Sequence, residues 1–247
     1  LVCCVSLFLV SDTDSDQFRS FDVRVRDGSF PALVAVPART PAAAIVCVSS
    51  IFGVTEEAKR WLRADSAAGF LTFVYDPFWR SDPGPLSPLV DSERERATAR
   101  RDATAVADAT ADLAAVIDAA RAMPECNARV AVVGYCFGGR YAFIAAATLP
   151  IDAAVSYHGI LIGESLDVAP GIRVPISLHC GDIDPECPMT EVEAIRSATK
   201  GNPLVDIYVY PNVGHSFTWK NYRKYDAAAA ELSEARAFAL LDTLKEG

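Results

Sequence analysis

One ten-residue stretch constrains the fold of this chain more than any other: Val130-Ala131-Val132-Val133-Gly134-Tyr135-Cys136-Phe137-Gly138-Gly139. It opens as a β-branched run and passes into a helix-like run from Arg140 to Thr148. A strand that becomes a helix over so few residues needs a very sharp turn. Its central residue, Cys136, must hold a strained backbone, and its neighbours must be small. Gly134 and Gly138 meet that demand, and Gly139 lets helix and strand approach closely. A thiol there projects above the sheet at the positive end of the following helix, where a thiolate is favoured. The plainer reading is a buried cysteine before a glycine-rich turn. Strand, glycines and helix in one register favour a nucleophile instead.

The length of 247 residues suits one large α/β domain with a substantial core. A net charge of -9 argues against a nucleic-acid partner and supplies no basic stripe for an anionic membrane. The seven cysteines (Cys3, Cys4, Cys47, Cys126, Cys136, Cys180, Cys187) show no zinc-ligand spacing, so no metal site is expected. Cys47 and Cys180 lie in apolar, strand-like runs, where free cysteine behaves as a small hydrophobe. A cytoplasmic monomer is the expectation. Residues 1–20 read as an N-terminal extension, disordered or strand-like, with a trimmed leader as the alternative. Leu1 to Val10 is apolar but too short to span a bilayer.

From Phe21 onward strand-like and helix-like segments alternate, which predicts a mostly parallel sheet flanked by helices over residues 21–247. Phe21 to Val25 and Ala32 to Val36 flank a turn at Asp27-Gly28. Buried strands are expected at Ala44 to Val48, Leu71 to Tyr75, Val130 to Val133, Ala153 to Tyr157, Pro175 to His179 and Val205 to Tyr210. Helices are expected at Thr55 to Ala68, at Ser92 to Ala122 as one long element, and at Asp226 to Lys245. Thr190-Glu191-Val192-Glu193 reads as a capping-box helix start. Four prolines (Pro77, Pro83, Pro85, Pro88) make Asp76 to Leu89 a long loop at the carboxyl edge of the sheet, where ligands bind in such folds.

Two loops can supply partners to Cys136. Asp184, before Pro185, follows the strand Pro175 to His179, and is preferred to Asp182, which can bond its own loop backbone. His215, behind the Gly214 hinge, follows the last strand and can swing back over the thiol. The other histidines are His158, which follows a strand and could line the site, and His179, which reads as a satisfied buried residue. Nucleophile, acid and base in this order match the strand–turn–helix hydrolases. Backbone N–H groups of Phe137 and Ile51 are the candidate oxyanion donors.

With these residues in place, the chain resembles the dienelactone hydrolase (carboxymethylenebutenolidase) family of α/β-hydrolases from about Phe21 to Leu244. The resemblance rests on Asp27-Gly28, Ile51-Phe52-Gly53-Val54, the Cys136 turn, the Asp184 loop with Pro188, and Gly214-His215-Ser216-Phe217. It implies a Cys136–Asp184–His215 triad, oxyanion donors Ile51 and Phe137, small lactone or enol-ester substrates often bearing a carboxylate, and no cofactor. Two departures stand out. Ser50 occupies the position of a family glutamate that controls thiol ionisation, and a hydroxyl cannot take a proton as a carboxylate does. This predicts direct Cys136–His215 pairing, or no substrate-triggered activation. Of two family arginines that recognise the carboxylate, Arg94 matches one, with Arg96 nearby, whereas Trp219, beside Lys220, replaces the other. Phe52, Trp79, Tyr135, Phe217 and Trp219 are the candidate pocket walls, with plain core packing as the alternative for each. Three functions fit: a lactone hydrolase of this family, a broader carboxylesterase, and a non-hydrolytic redox or binding homologue.

Overall fold

The computed structural model describes residues 18–245. In chain order the strands are β1 (Arg19–Val25), β2 (Gly28–Ala35), β3 (Ala42–Val48), β4 (Leu71–Tyr75), β5 (Cys126–Tyr135), β6 (Ala153–Tyr157), β7 (Ile176–Gly181) and β8 (Val205–Tyr210). They form one sheet in the order β1-β2-β4-β3-β5-β6-β7-β8, antiparallel at β1, β2 and β4 and parallel from there on. The helices are α1 (Glu56–Ala67), α2 (Asp91–Ala103), α3 (Val106–Ala122), α4 (Phe137–Thr148), α5 (Met189–Ala198) and α6 (Ala227–Leu241).

Period-two alternation places them. Ala44, Val46 and Val48 of β3 and Val130 and Val132 of β5 face one core, with Leu113 and Val116 of α3 and Phe143 of α4. Ala43, Ile45, Cys47, Ala131 and Val133 face the other, with Leu62 of α1 and Leu241 of α6. Strands buried on both faces need helices on both sides. Leu62, Leu113 and Leu178 are withdrawn from water almost completely; each such burial contributes about 1.5–3 kcal/mol. The crossovers leave the loops after β3, β5, β7 and β8 on one carboxyl edge, and the site forms there.

The single helix expected over Ser92 to Ala122 is two. Thr104 is extended at φ −81° and ψ 115°, and its hydroxyl donates to the Arg100 carbonyl at 2.7 Å. The break follows the change in composition: α2 buries only Ala97 and Arg100, whereas α3 buries an apolar stripe. The capping box at Thr190 is also corrected. Helix α5 begins at Met189 after Pro188, and Glu191 instead accepts the Gly163 N–H at 2.8 Å. That bond ties α5 to a 3-10 segment, Ile162–Gly171, which carries no periodic signal in the sequence. Strand β1 starts at Arg19, two residues inside the expected extension; the rest of that expectation, with Cys3 and Cys4, lies outside the described residues. Among the described residues no helix is long and apolar enough to cross a membrane.

Candidate active site

Cys136 sits between β5 and α4 at φ 55° and ψ −113°, a conformation forbidden to most residues. Such strain costs about 1–3 kcal/mol and persists only where the surroundings enforce it. Here they do. The Cys136 N–H donates to Tyr157 O at 3.0 Å, and its carbonyl accepts from Gly139 N at 2.9 Å and Ile160 N at 3.2 Å. A β-carbon at Gly134 would stand 2.0 Å from Gly138 O, and one at Gly138 would stand 2.0 Å from Val48 O. The turn can close only with glycine at both positions.

His215 and Asp184 meet as the loop order suggests. The buried Asp184 carboxylate accepts the His215 Nδ1 proton at 2.8 Å. Its other oxygen accepts from Glu186 N at 2.8 Å and Cys187 N at 3.3 Å, so the carboxylate is fixed from both sides. Asp182 bonds backbone instead, accepting from Val213 N at 3.3 Å. The acid and histidine loops touch directly, since a β-carbon at Gly181 would meet Val213 O at 2.1 Å. Burial opposes charge on His215. The neighbouring Cys136 sulfur, then the hydrogen bond to Asp184, outweigh it and push the imidazole up to about 10. Asp184 thus favours the protonated ring, whose Nδ1 it holds at 2.8 Å.

Ile51 lies in the turn after β3, closed by Gly53 N to Ser50 O at 3.0 Å and by Phe52 N to Ser50 Oγ at 3.3 Å. A buried guanidinium secures this turn. Arg100 of α2 donates to Ile51 O from Nε at 2.9 Å and from Nη2 at 2.7 Å. Its Nη1 reaches Asp82 O at 2.8 Å and Gly84 O at 2.9 Å. The guanidinium lies 4.2 Å over the Phe78 ring, which packs on Phe137. Phe137 opens α4, so its N–H has no helical acceptor and is available beside Cys136.

Cys136 and His215 open on a cavity of about 740 Å³ that Ser50, Ile51, Phe52, Arg94 and Trp219 also line. Phe52 and Trp219 meet edge to face at 5.8 Å. Three of the candidate walls do not line this cavity, and for them the alternative of plain packing holds. Tyr135 points to the opposite face of the sheet by strand alternation and stacks on Trp61 at 3.6 Å and on Tyr157 at 4.9 Å. Trp79 stacks on Phe30 at 5.0 Å and donates from Nε1 to Asp112 at 2.9 Å, anchoring the proline-rich loop. Phe217 is fully buried with Tyr210 and Val213.

A sequence model of the dienelactone hydrolase family matches residues 30–245. The chain belongs to the dienelactone hydrolase family. It is 35% identical over 221 residues to carboxymethylenebutenolidase of Pseudomonas putida, covering 88% of this chain and 92% of that one. It is 34% identical to carboxymethylenebutenolidase 1 of Cupriavidus pinatubonensis, covering 89% and 94%. A solved structure from Klebsiella pneumoniae, provisionally a dienelactone hydrolase, has a TM-score of 0.80 at 25% identity and covers 91% of this chain and 98% of that one.

Within this dienelactone hydrolase fold the cavity's cations are mostly engaged. Arg94 pairs with Asp91 and donates to Pro88 O at 3.0 Å. Arg96 pairs with Asp82 and does not line the cavity. Lys224 lines it and has no ion-pair partner among the described residues. Sequence reasoning missed Lys224, and it missed Arg100 because three neighbouring arginines gave no sign of which one turns inward. His158 does not line the cavity. It packs edge-on against His215 at 4.9 Å and bonds Thr218 Oγ1 at 3.1 Å. Burial, then the charge of His215, holds it neutral, well below the usual histidine range. His179 is buried, hydrogen-bonded to Tyr210 OH at 2.8 Å and to Ser177 Oγ at 3.1 Å.

Proposed function

We propose that Cys136, His215 and Asp184 form the nucleophile, proton carrier and orienting acid of a hydrolase that opens small lactones and cleaves activated esters. The observation that carries this reading is the buried His215–Asp184 hydrogen bond at 2.8 Å, in the same cavity as a strained Cys136. The thiolate attacks the carbonyl carbon, and the carbonyl electrons move to oxygen. N–H groups of Ile51 and Phe137 receive that oxyanion, each contributing about 3 kcal/mol to the transition state. On collapse the carbon–oxygen bond breaks, and the leaving alkoxide or enolate takes the proton of His215. This leaves an acyl-thioester on Cys136. Neutral His215 then removes a proton from water, whose oxygen attacks the thioester and returns the thiolate with a carboxylic acid product. Asp184 keeps Nδ1 protonated, so Nε2 performs both transfers.

Ser50 lines the cavity with Cys136 and His215 but has no proton-accepting carboxylate. This supports a thiol activated by direct pairing with His215 rather than by substrate. The relatives' name, carboxymethylenebutenolidase, suggests a carboxylate-bearing lactone. The broader carboxylesterase reading gains support from Arg94, already engaged by Asp91, and from the aromatic wall at Trp219. Steady-state rates on cis- and trans-dienelactone beside p-nitrophenyl acetate separate the two. A kcat/KM for the lactones above that for the ester supports the first, and the reverse supports the second. No turnover of either substrate would leave only the non-hydrolytic homologue.

A further inference from the structure

A second cavity of about 680 Å³ adjoins the first, and Pro88, Trp219 and Tyr222 line both. Each volume falls within the roughly 300–1,000 Å³ of small-molecule sites. Trp219 packs against Phe52 at 5.8 Å and Tyr222 at 5.7 Å between ring centroids, and because Trp219 and Tyr222 line both chambers they form an aromatic partition at their junction. The partition is anchored from α1. Buried Glu57 accepts the Lys220 N–H at 2.9 Å, and Arg60, paired with Glu57 at 2.7 Å, reaches Thr218 O at 3.4 Å. Trp219 is thereby held by its backbone on both sides.

The second chamber's chemistry differs from that of the first. Val54, Pro85, Leu86 and Leu89 give it apolar walls. Each of its cations faces an acid: Lys59 and Arg63 face Glu56 at 2.6 and 3.9 Å, and Arg60 faces Glu57. Glu93 lines it too, so three acids balance three cations, the lining offers an anion no net positive charge, and the apolar walls are left to receive an uncharged arm. We infer that it is a subsite for an extended alkyl or aryl arm of the ester, with Trp219 directing that arm out of the catalytic cavity. This rests on the hydrolase reading above and extends it from small substrates to elongated ones.

The test is chain-length selectivity. Acetate and octanoate p-nitrophenyl esters vary the acyl arm, and ethyl and octyl acetates followed by pH-stat vary the alcohol arm. The expected result is a kcat/KM at least tenfold higher for the long member of one series. Val54→Trp and Ser87→Trp each add bulk at a lining position of the chamber, and each should cut that long-to-short ratio at least fivefold. Circular dichroism checks the fold of both. A wild-type ratio near one in both series overturns the subsite, as does a ratio that both folded variants leave unchanged. Absence of turnover on every ester, short ones included, counts instead against the hydrolase reading.

Discussion

Replacing Arg100 with methionine tests whether the Ile51 peptide is a working part of the site. Methionine keeps an unbranched apolar stem against Phe78 and removes all donors. Four hydrogen bonds to three backbone carbonyls are lost, two of them at Ile51 O at 2.7 and 2.9 Å. Charged hydrogen bonds contribute about 1.5–3 kcal/mol each, but two share one acceptor and water can reach the loop carbonyls. A net loss of about 3 kcal/mol of stability follows. The turn keeps its bonds at Ser50 and the Leu86 N–H donated to Phe52 O at 2.9 Å, so the Ile51 N–H shifts rather than disappears. Removing an oxyanion donor costs about 10²–10³ in kcat, and an ångström of misplacement about 10². We expect kcat on p-nitrophenyl acetate to fall about 30–100-fold. KM should change little, because Arg100 does not line the cavity. Added guanidinium should restore part of kcat to the smaller Arg100→Ala variant. Urea denaturation reports stability in parallel. An Arg100→Met protein that is less stable yet keeps wild-type kcat refutes the assignment of Ile51 as a donor.

Asp184→Asn should lower kcat/KM by about 10³–10⁴, since an amide no longer fixes the proton on Nδ1 of His215; stopped-flow ester hydrolysis measures it. Asp65, buried in α1, has its carboxyl pushed up to about 7 by burial and then by the charge of Glu234, against the opposing pull of Arg60. The unfolded chain releases this proton near the ordinary value of 3.8, so stability falls as pH rises from there through about 7. The loss amounts to roughly 4 kcal/mol. Asp65→Asn should therefore raise Tm at pH 8 and leave it nearly unchanged at pH 4, by calorimetry.

The parts of the fold legible in sequence were those dictated by sterics and periodicity. The Cys136 turn needs its glycines because backbone atoms stand 2.0 Å from where side chains would be, and no other packing relaxes that. Strands β4, β6 and β8 follow from short apolar runs with clear stops. The join between α2 and α3 was not legible, because Thr104 is an unremarkable residue until its hydroxyl bonds Arg100 O. Aromatic roles were equally hidden. Tyr135 adjoins Cys136 in sequence, yet alternation turns it to the opposite face, while Trp219, four residues past His215, does reach the cavity. Arg100 shows the limit most plainly, since its value lies in carbonyls from two distant loops.

The proposed chemistry turns on Cys136 as the nucleophile. Rapid acid quench during turnover of p-nitrophenyl acetate, followed by peptide mass spectrometry, tests this most directly. It should show one acetyl group on the peptide containing Cys136, labile to hydroxylamine and lost in Cys136→Ala together with turnover. An acetyl group on another residue, or undiminished turnover by Cys136→Ala, would contradict it.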